Sequence, residues 1–227
     1  MKGRNRRRTL ASFVGFLVFL APMVSAFAQQ PEDGARFIQI TAGLGVNAHT
    51  DPTILDYINA LTYPSPDQKL TGFTSASEFF ITPEVQVSDA WSVGLEYSYL
   101  IKSYNSVGQY QVDFSYSVQM PTLLVHYLIP GDGYWLKVGG GIGGAFGTLT
   151  ENYLQIGAGE SSTASGPGFK IEAVGNTKFD EHFWGSIGVD LRWVYAGAFK
   201  GGLSTSAPTP KLDFFSAGVK FGVTFSL

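Results

Sequence analysis

Alternation of apolar and polar residues is the feature that most constrains the fold of this chain. Near the C-terminus, apolar residues are each separated by one small or polar residue. They are Phe215, Ala217, Val219, Phe221, Val223, Phe225 and Leu227. Because successive side chains of a β-strand point to opposite faces, this pattern predicts a strand with one apolar and one polar face. Residues 91–101 and 183–195 repeat the pattern, which indicates an all-β fold.

Further segments alternate less regularly and bring the number of predicted strands to eight. They are residues 37–47, 78–87, 113–129, 134–150 and 169–179. The alternation changes phase around Pro121. Since proline lacks the amide hydrogen that a β-ladder needs, we expect a β-bulge at this point.

Short and long connectors follow one another in strict order. Residues 88–90, 130–133 and 180–182 predict tight turns, whereas 48–77, 103–112, 151–168 and 196–211 predict long loops. In an up-and-down antiparallel sheet, successive connectors lie at opposite ends. All three turns therefore lie at one end and all four loops at the other, which is typical of outer-membrane barrels with short periplasmic turns and long external loops.

A soluble β-sandwich is the alternative, because it is also built from alternating strands. The polar faces here carry many Gly, Ser and Thr, which suits a narrow lumen. Aromatic residues at the strand ends predict two girdles at the lipid headgroup levels. Near the turns they are Trp91, Tyr134, Trp135, Phe183 and Trp184, and near the loops Phe79, Tyr97, Tyr99, Phe114, Phe146, Trp193 and Tyr195. These girdles favour a transmembrane barrel.

The N-terminal residues predict an export signal. Five basic residues lie within residues 1–8, and residues 10–24 are uncharged and end near Ala26, Phe27 and Ala28. The pattern predicts a signal peptide over residues 1–28 and a barrel domain over residues 29–227. The mature chain would carry 10 Lys and Arg against 18 Asp and Glu, which gives no electrostatic basis for binding nucleic acid. The absence of cysteine excludes disulfides and thiol chemistry.

Two regions resemble the small eight-stranded outer-membrane proteins of Gram-negative bacteria, the OmpA-, OmpX- and OmpW-like barrels. One is the terminal segment 219–227, and the other is the pair formed by 120–127 and the glycine-rich 138–143. The resemblance implies an outer-membrane location and contact with membrane lipids, periplasmic chaperones and the barrel-assembly machinery. It also implies an assembly signal formed by Phe221, Val223, Phe225 and Leu227, although phenylalanine is commoner than leucine at the last position.

Charged residues on the polar faces predict a network inside the barrel. Its expected members are Glu84, Glu96, Lys102, Lys137, Glu172, Asp190, Arg192 and Lys220, with Asp113, Lys170 and Lys178 on the same faces. An eight-stranded barrel is just wide enough for side chains to fill. We therefore expect these charges to pair and to plug the lumen; an ion path is the alternative.

Other motifs carry less chemistry. Gly139, Gly141 and Gly144 match a dinucleotide-binding pattern, but the segment continues as a strand where that pattern needs a turn into a helix. His49, His126 and His182 are dispersed along the chain, so we predict no metal site, cofactor or catalytic group. His126 is followed by Tyr127 and Leu128, and so lacks the serine two residues on that lipid deacylases of the outer membrane use.

The first long loop contains a short amphipathic segment. The apolar residues of segment 53–61 are Ile54, Leu55, Tyr57, Ile58 and Leu61. Their spacing predicts a helix lying on the barrel rim; a cover over a small pocket or an adhesive tip is the alternative.

The predicted function is a non-enzymatic one, with an envelope-structural or surface-interaction role through four extracellular loops and an unknown extracellular partner. One alternative is a narrow pore or a binder of small hydrophobic molecules, as the OmpW-like resemblance suggests. The other is a lipid-modifying enzyme that uses His49.

Overall fold

The computed structural model describes residues 38–62, 75–107, 111–153, 158–202 and 207–227. The predicted signal peptide lies outside the described residues. Eight long strands make up most of the described residues. They are β1 (Ile38–Thr50), β2 (Ser75–Ser88), β3 (Trp91–Val107), β4 (Gln111–Gly131), β5 (Tyr134–Tyr153), β6 (Ala158–Lys178), β7 (Phe183–Ala198) and β9 (Lys211–Ser226). A helix, α1 (Pro52–Thr62), follows β1, and a two-residue strand, β8 (Lys200–Gly201), follows β7.

Every long strand pairs antiparallel with two neighbours, so the sheet closes on itself. Strands β1 to β7 pair in chain order, and β9 joins β7 to β1. The predicted eight-stranded antiparallel barrel is therefore confirmed. Closure gives every strand two partners for its backbone groups, which leaves no unpaired sheet edge.

The two ends of the barrel differ. Tight turns join β2 to β3, β4 to β5 and β6 to β7 at one end, which we call the turn end. Gly133 has a φ of 75° in the second of these turns, a conformation that glycine adopts without steric cost. The opposite end, the loop end, carries α1 and β8. Among the described residues, no helix has the length and hydropathy required to cross a membrane.

Two of the predicted long loops are largely strand, so those predictions are wrong. β3 and β4 extend to Val107 and from Gln111, which leaves little of the expected loop 103–112. β5 and β6 extend to Tyr153 and from Ala158, which replaces most of the expected loop 151–168. The composition rich in Ser, Thr and Gly belongs to strands whose outer face meets water.

An outward apolar band encircles the barrel near the turn end. Its members are exposed although they are large and apolar; Ile142 is 62% and Ile187 56% exposed. Others include Leu44, Ile81, Leu123, Val125, Val138, Ile171, Val189, Val219, Phe221 and Val223. Such a continuous exposed band is the surface that a barrel presents to lipid hydrocarbon.

Aromatic residues border this band at both levels, with three corrections to the predicted girdles. Phe79, Phe146 and Tyr195 are exposed towards the loop end, and Trp91, Tyr134 and Phe183 towards the turn end. Phe114 is instead buried inside the barrel. Trp135 and Trp184 are only partly exposed and share the inward phase of Lys137 and Ser186 on their strands.

The predicted bulge at Pro121 is wrong. The β3–β4 register runs without a shift from Trp91 opposite Tyr127 to Val107 opposite Gln111. What changes along β4 is the polarity of the two faces. Towards the turn end Leu123, Val125, Tyr127 and Ile129 point outwards, whereas towards the loop end Phe114, Tyr116, Val118 and Met120 point inwards. Even-numbered residues of β4 point inwards from Val112 to Leu128, and we call this fixed alternation the parity of the strand. What changes along the strand is the medium outside it, from apolar to aqueous.

The short helix predicted in the first long loop is present as α1. The predicted position on the barrel rim is wrong, because α1 lies inside the loop end of the barrel. Asp51 precedes Pro52, a favourable order for a helix start, and its Oδ1 accepts a hydrogen bond from the Ile54 amide at 3.1 Å. One face of α1 is buried against inward side chains of the strands. This apolar plug comprises Ile54, Tyr57, Ile58 and Leu61 with Leu100, Val112, Phe114, Tyr116, Val118, Met120, Leu149, Val194, Leu212 and Phe214.

Arginine substitutions at two heights of one outer face test where the apolar band ends. Ile171→Arg places a charge within the band and should destabilise the barrel in vesicles by about 2–4 kcal/mol. Ser161→Arg lies on the same face of β6 but nearer the loop end, and should cost less than about 1 kcal/mol. Reversible urea unfolding in lipid vesicles measures both values. Equal costs would show that β6 meets the same medium along its whole length.

Candidate functional site in the barrel interior

The interior has two compartments. Below the apolar plug, towards the turn end, lies a cluster of buried charged side chains that we call the ion network. Its members are Glu78, Glu84, Glu96, His126, Lys137, Lys170, Glu172, Asp190, Arg192 and Lys220, none of them more than 5% exposed. They project from seven of the eight long strands, so the network joins all sides of the barrel.

Glu96 on β3 is the centre of the network. Its two oxygens lie 2.5 Å from the Nζ atoms of Lys170 and Lys220, respectively. The Ser98 hydroxyl donates a further hydrogen bond at 2.7 Å. Lys170 comes from β6 and Lys220 from β9, so Glu96 links three strands that are not neighbours in the sheet. Lys220 also lies 4.3 Å from the Phe80 ring, a cation–π contact that adds to its stabilisation.

Arg192 forms a second centre nearer the plug. Its Nη2 lies 2.5 Å from Glu78 Oε1 and also donates to Asp190 Oδ2. Asn47 donates to the other oxygen of Glu78 at 2.6 Å. Arg192 is fully buried, and a cation without counter-charges would be very costly at such a position. The two carboxylates are therefore what allows the guanidinium to be there.

His126 bridges two carboxylates. Its Nδ1 lies 3.0 Å from Glu84 Oε1, and its Nε2 lies 2.9 Å from Glu172 Oε1. A carboxylate only accepts hydrogen bonds, so both ring nitrogens must donate, which requires the imidazolium form. With His126 charged, the network holds five carboxylates against four Lys and Arg and one imidazolium, and is electrically neutral.

The structure brings most of the predicted network residues together. Glu84, Glu96, Lys137, Glu172, Asp190, Arg192 and Lys220 all belong to the ion network, as does Lys170. Lys102 does not: it lies six residues beyond Glu96 on β3, which is about 20 Å along a strand. It borders the plug, because its cross-strand partner on β4 is the buried Tyr116.

Two other residues of the predicted faces also lie elsewhere. Asp113 is on the outward face of β4, where the strand stands in water. Lys178 is exposed at the turn end, with its Nζ 5.9 Å from the Trp184 ring. Asp113 was assigned to the lumen because polar residues were taken to point inwards over the whole length of a strand. Lys178 has the inward parity of Lys170 and Glu172, but it lies at the very end of β6, where the barrel opens.

Sequence reasoning missed Glu78 and His126 as network members. Glu78 has the same parity as Glu84 on β2, so the strand pattern alone could have placed it on the inner face. His126 has the parity of Thr122 on β4, but the local pattern was obscured by the polarity change near Pro121. Parity along the whole strand was the signal that would have found both.

The ion network leaves almost no free space. Its cavity has a volume of about 20 Å³ and is lined by Glu84, Glu96, His126, Lys137, Glu172 and Lys220 among others. That is room for about one water molecule. A cavity of this size does not hold a column of water.

Two buried carboxyl groups hold the apolar plug in place. Glu151 on β5 accepts hydrogen bonds from the hydroxyls of Tyr57 on α1 and Tyr153. Burial raises the pKa of Glu151. Asp51 caps α1, while its Oδ2 is buried without a hydrogen-bond partner among the described residues. Burial raises the pKa of Asp51 to about 7.

The remaining candidate motifs are dispersed. Gly139, Gly141 and Gly144 lie within β5, and a Cβ on Gly139 would come within 2.1 Å of the Val125 carbonyl oxygen. Glycine is thus required there by close approach of β4. His49 packs beside Tyr116 and Phe214, and His182 lies at the turn end with its Nδ1 3.1 Å from the Ser226 carbonyl oxygen. Among the described residues, no three His, Cys, Asp or Glu form a group that could hold a metal.

Solved structures share this fold. Ail, the attachment invasion locus protein of Yersinia pestis, solved in complex with the heparin analogue sucrose octasulfate, has a TM-score of 0.54 at 10% identity, with 86% of this chain and 100% of that chain covered. Neisserial surface protein A has a TM-score of 0.50 at 9% identity, with 84% and 97% covered. The chain therefore has the fold of the small eight-stranded outer-membrane barrels. No family model matches the sequence, and no curated protein shows a significant match.

Removing the central guanidinium tests the energetics of the ion network. Arg192→Met leaves the buried carboxylates of Glu78 and Asp190 without their shared cation and should cost about 3–5 kcal/mol. Adding Glu78→Gln should restore part of this loss, because four carboxylates then face three lysines and the imidazolium, and Asp190 keeps Lys170 as a partner at 3.6 Å. Urea unfolding measures both variants, with exposed Lys211→Met as a control expected within about 0.5 kcal/mol of wild type. A double variant no more stable than Arg192→Met would contradict the pairing.

The pH dependence of stability tests the buried helix cap. Asp51 ionises near pH 4 when unfolded but near pH 7 when folded, so the folded state binds its proton more tightly. Its ionisation therefore lowers stability as the pH rises from about 4 to about 7. Asp51→Asn keeps a good cap without this titration and should flatten the profile. Unfolding between pH 4 and 8 measures it, and Asp56→Asn, on the exposed side of α1, should keep the wild-type slope. Parallel profiles for wild type and Asp51→Asn would refute the assignment.

Proposed function

We propose that this protein resides in a bacterial outer membrane as a closed, non-enzymatic barrel that holds an interaction surface on the external side. The loop end faces outwards and the turn end faces the periplasm, the orientation of barrels with short periplasmic turns. The predicted signal peptide over residues 1–28 would direct export. The outer face supports this location, because its apolar band can be covered by hydrocarbon and its loop-end part is polar.

The filled interior carries the proposal. The ion network fills the lumen at one level, where its cavity has a volume of about 20 Å³, and α1 with its apolar partners fills it at the other. Either obstruction alone would stop the flow of hydrated ions. These two seals favour a structural or adhesive role over the alternative of a narrow pore through the lumen.

The parts of the protein that remain available to partners are outside the barrel. β4, β5 and β6 continue past the apolar band, so they raise a polar wall above the membrane surface. Its outward residues include Ser115, Ser117, Thr148, Thr150, Ser161 and Thr163. A rigid wall of this kind supports the connecting loops and presents them to an extracellular partner with little loss of conformational entropy on binding.

Assembly into the membrane would use the last strand. Phe221, Val223 and Leu227 are exposed on the outer face of β9 or at its end, and Phe225 packs 5.2 Å from the Phe183 ring. β9 pairs with β1, so it is the strand that closes the ring. We assign to this segment the signal that periplasmic chaperones and the barrel-assembly machinery bind.

Current measurements in planar bilayers test the closed barrel. The folded protein should insert without producing stepwise currents, because neither seal leaves a water path. Insertion is verified separately by the resistance of the inserted barrel to protease. Stepwise currents that change when Lys137→Gln or Glu96→Gln is introduced would show that ions pass through the network and would overturn the proposal.

A further inference from the structure

His126 is the member of the ion network whose side-chain type changes charge near neutral pH. Histidine has an ordinary pKa between 5 and 8, whereas the carboxylates, lysines and arginine around it ionise far from this range. The His126 side chain is 2% exposed and lines the cavity inside the network. The closed barrel makes use of its charge, but not of its ability to release a proton.

The imidazole ring is held by one oxygen from each of two carboxylates. Glu84 on β2 lies 3.0 Å from Nδ1, and Glu172 on β6 lies 2.9 Å from Nε2. The second oxygen of each carboxylate accepts hydrogen bonds from lysines, which are Lys137 for Glu84, and Lys170 and Lys220 for Glu172. The lysines therefore do not compete with the ring for its two acceptor oxygens.

The strand beside the ring leaves space for it. Gly139 on β5 is the cross-strand partner of His126. A Cβ on Gly139 would come within 2.6 Å of the ring carbon Cδ2. The ring thus packs against backbone that carries no side chain, with a carboxylate at each of its nitrogens.

The surroundings of the ring favour its charged form. The charged groups around it come from five strands: Glu84 on β2, Glu96 on β3, Lys137 on β5, Lys170 and Glu172 on β6, and Lys220 on β9. β1 and β7 line the same level with Thr41, Ser186 and Gly188.

Loss of the ring proton would disturb the network in two ways. The neutral network would gain one net negative charge, and a cavity of about 20 Å³ has room for about one water molecule to hydrate it. A neutral imidazole also donates only one hydrogen, so either Glu84 or Glu172 would face a lone pair. The connection between β2, β4 and β6 across the lumen would then be broken on one side.

A chain of hydroxyls connects the cavity to the turn end. Thr224 Oγ1 lies 2.7 Å from Thr41 Oγ1 and 2.6 Å from Ser186 Oγ. Thr41 and Ser186 line the same cavity as His126. On the loop-end side, β3 and β4 border the network with Leu100, Val118 and Met120, whose side chains do not relay protons. The turn end is therefore the side from which a proton reaches the ring.

We propose that His126, Glu84 and Glu172 form a proton-operated clamp, which ties β2, β4 and β6 together while His126 is protonated and releases one of them when the proton leaves towards the turn end. The clamp itself requires only the closed barrel. Its assignment to the periplasmic side rests on the proposed function, and in that orientation the clamp responds to periplasmic and not to external pH. The network is held together in acidic and neutral surroundings and loosened in alkaline ones.

Nitrogen-15 NMR of the folded barrel in neutral detergent tests the protonation of the ring. In an untagged mature chain that carries His49→Gln and His182→Gln, His126 is the only histidine left, so its signals need no further assignment. A free histidine has lost about half of its imidazolium at about pH 6.5. His126 should instead show two protonated ring nitrogens at pH 8, in this variant and in wild type. A ring with a single hydrogen at pH 8 would overturn the proposal.

Urea unfolding between pH 7 and 9 tests the effect of the clamp on stability, with Asp51→Asn in every sample to remove the titration of the helix cap. The unfolded chain releases the His126 proton near pH 6.5 while the folded barrel retains it. The equilibrium constant for unfolding should therefore rise by up to about tenfold per pH unit. His126→Gln should be less stable at pH 7 and should lack this slope, whereas His182→Gln, the matched control, should keep it. Equal slopes in both variants would also contradict the clamp.

The exchange of the ring hydrogens with water tests the route of the proton. Thr41→Val removes one hydroxyl of the chain at nearly unchanged volume and should slow the exchange several-fold. Thr163→Val, an outward threonine of the polar wall, is the matched control and should leave the exchange unchanged. Equal exchange in the two variants would overturn the turn-end route. Stepwise currents through the wild-type barrel would instead refute the proposed function and not the clamp, which the NMR signals decide.

Discussion

Closure of the hydrogen-bonded ring is the constraint on which the rest of this structure depends. Once β9 pairs with both β1 and β7, no strand can rotate or slip alone. Each side chain is then committed to the inside or the outside by its parity. The barrel meets three environments with this single rule: an apolar medium outside near the turn end, water outside near the loop end, and its own interior throughout.

The polarity change along β4 follows directly from that commitment. Leu123 and Val125 face outwards where the surroundings are apolar, and Ser115 and Ser117 face outwards where they are aqueous. The inner face changes in the opposite sense, from His126 in the ion network to Phe114 in the apolar plug. The loop half is thus organised as a water-soluble barrel around a core, and the turn half as a membrane barrel around a polar centre.

Parity was readable from the sequence, and this is why the eight strands, the turns and most of the ion network could be predicted. The inner and outer faces were assigned from the polarity of the residues, although polarity and parity agree only where the strand is surrounded by lipid. This is why the bulge at Pro121, the loop at 151–168 and the positions of Phe114 and Asp113 were predicted wrongly. Pairing across the lumen, such as that of Lys170 with Glu96, depends on the stagger of strands that are far apart in the chain. A single sequence does not contain that stagger in readable form.

Buried ion pairs contribute little net stability, because desolvation offsets most of their attraction. Here the ion pairs stabilise one register of the strands relative to the slipped registers. A slip of one residue would turn Lys170 or Lys220 onto the outer face, where each charge would cost about 2–4 kcal/mol in hydrocarbon, and Glu84 would cost less than a lysine there. A slip of two residues would keep the parity but move each charge by about 7 Å, away from its partner. Since network members come from seven strands, these penalties add around the ring, and the native stagger is the one arrangement in which all of them vanish.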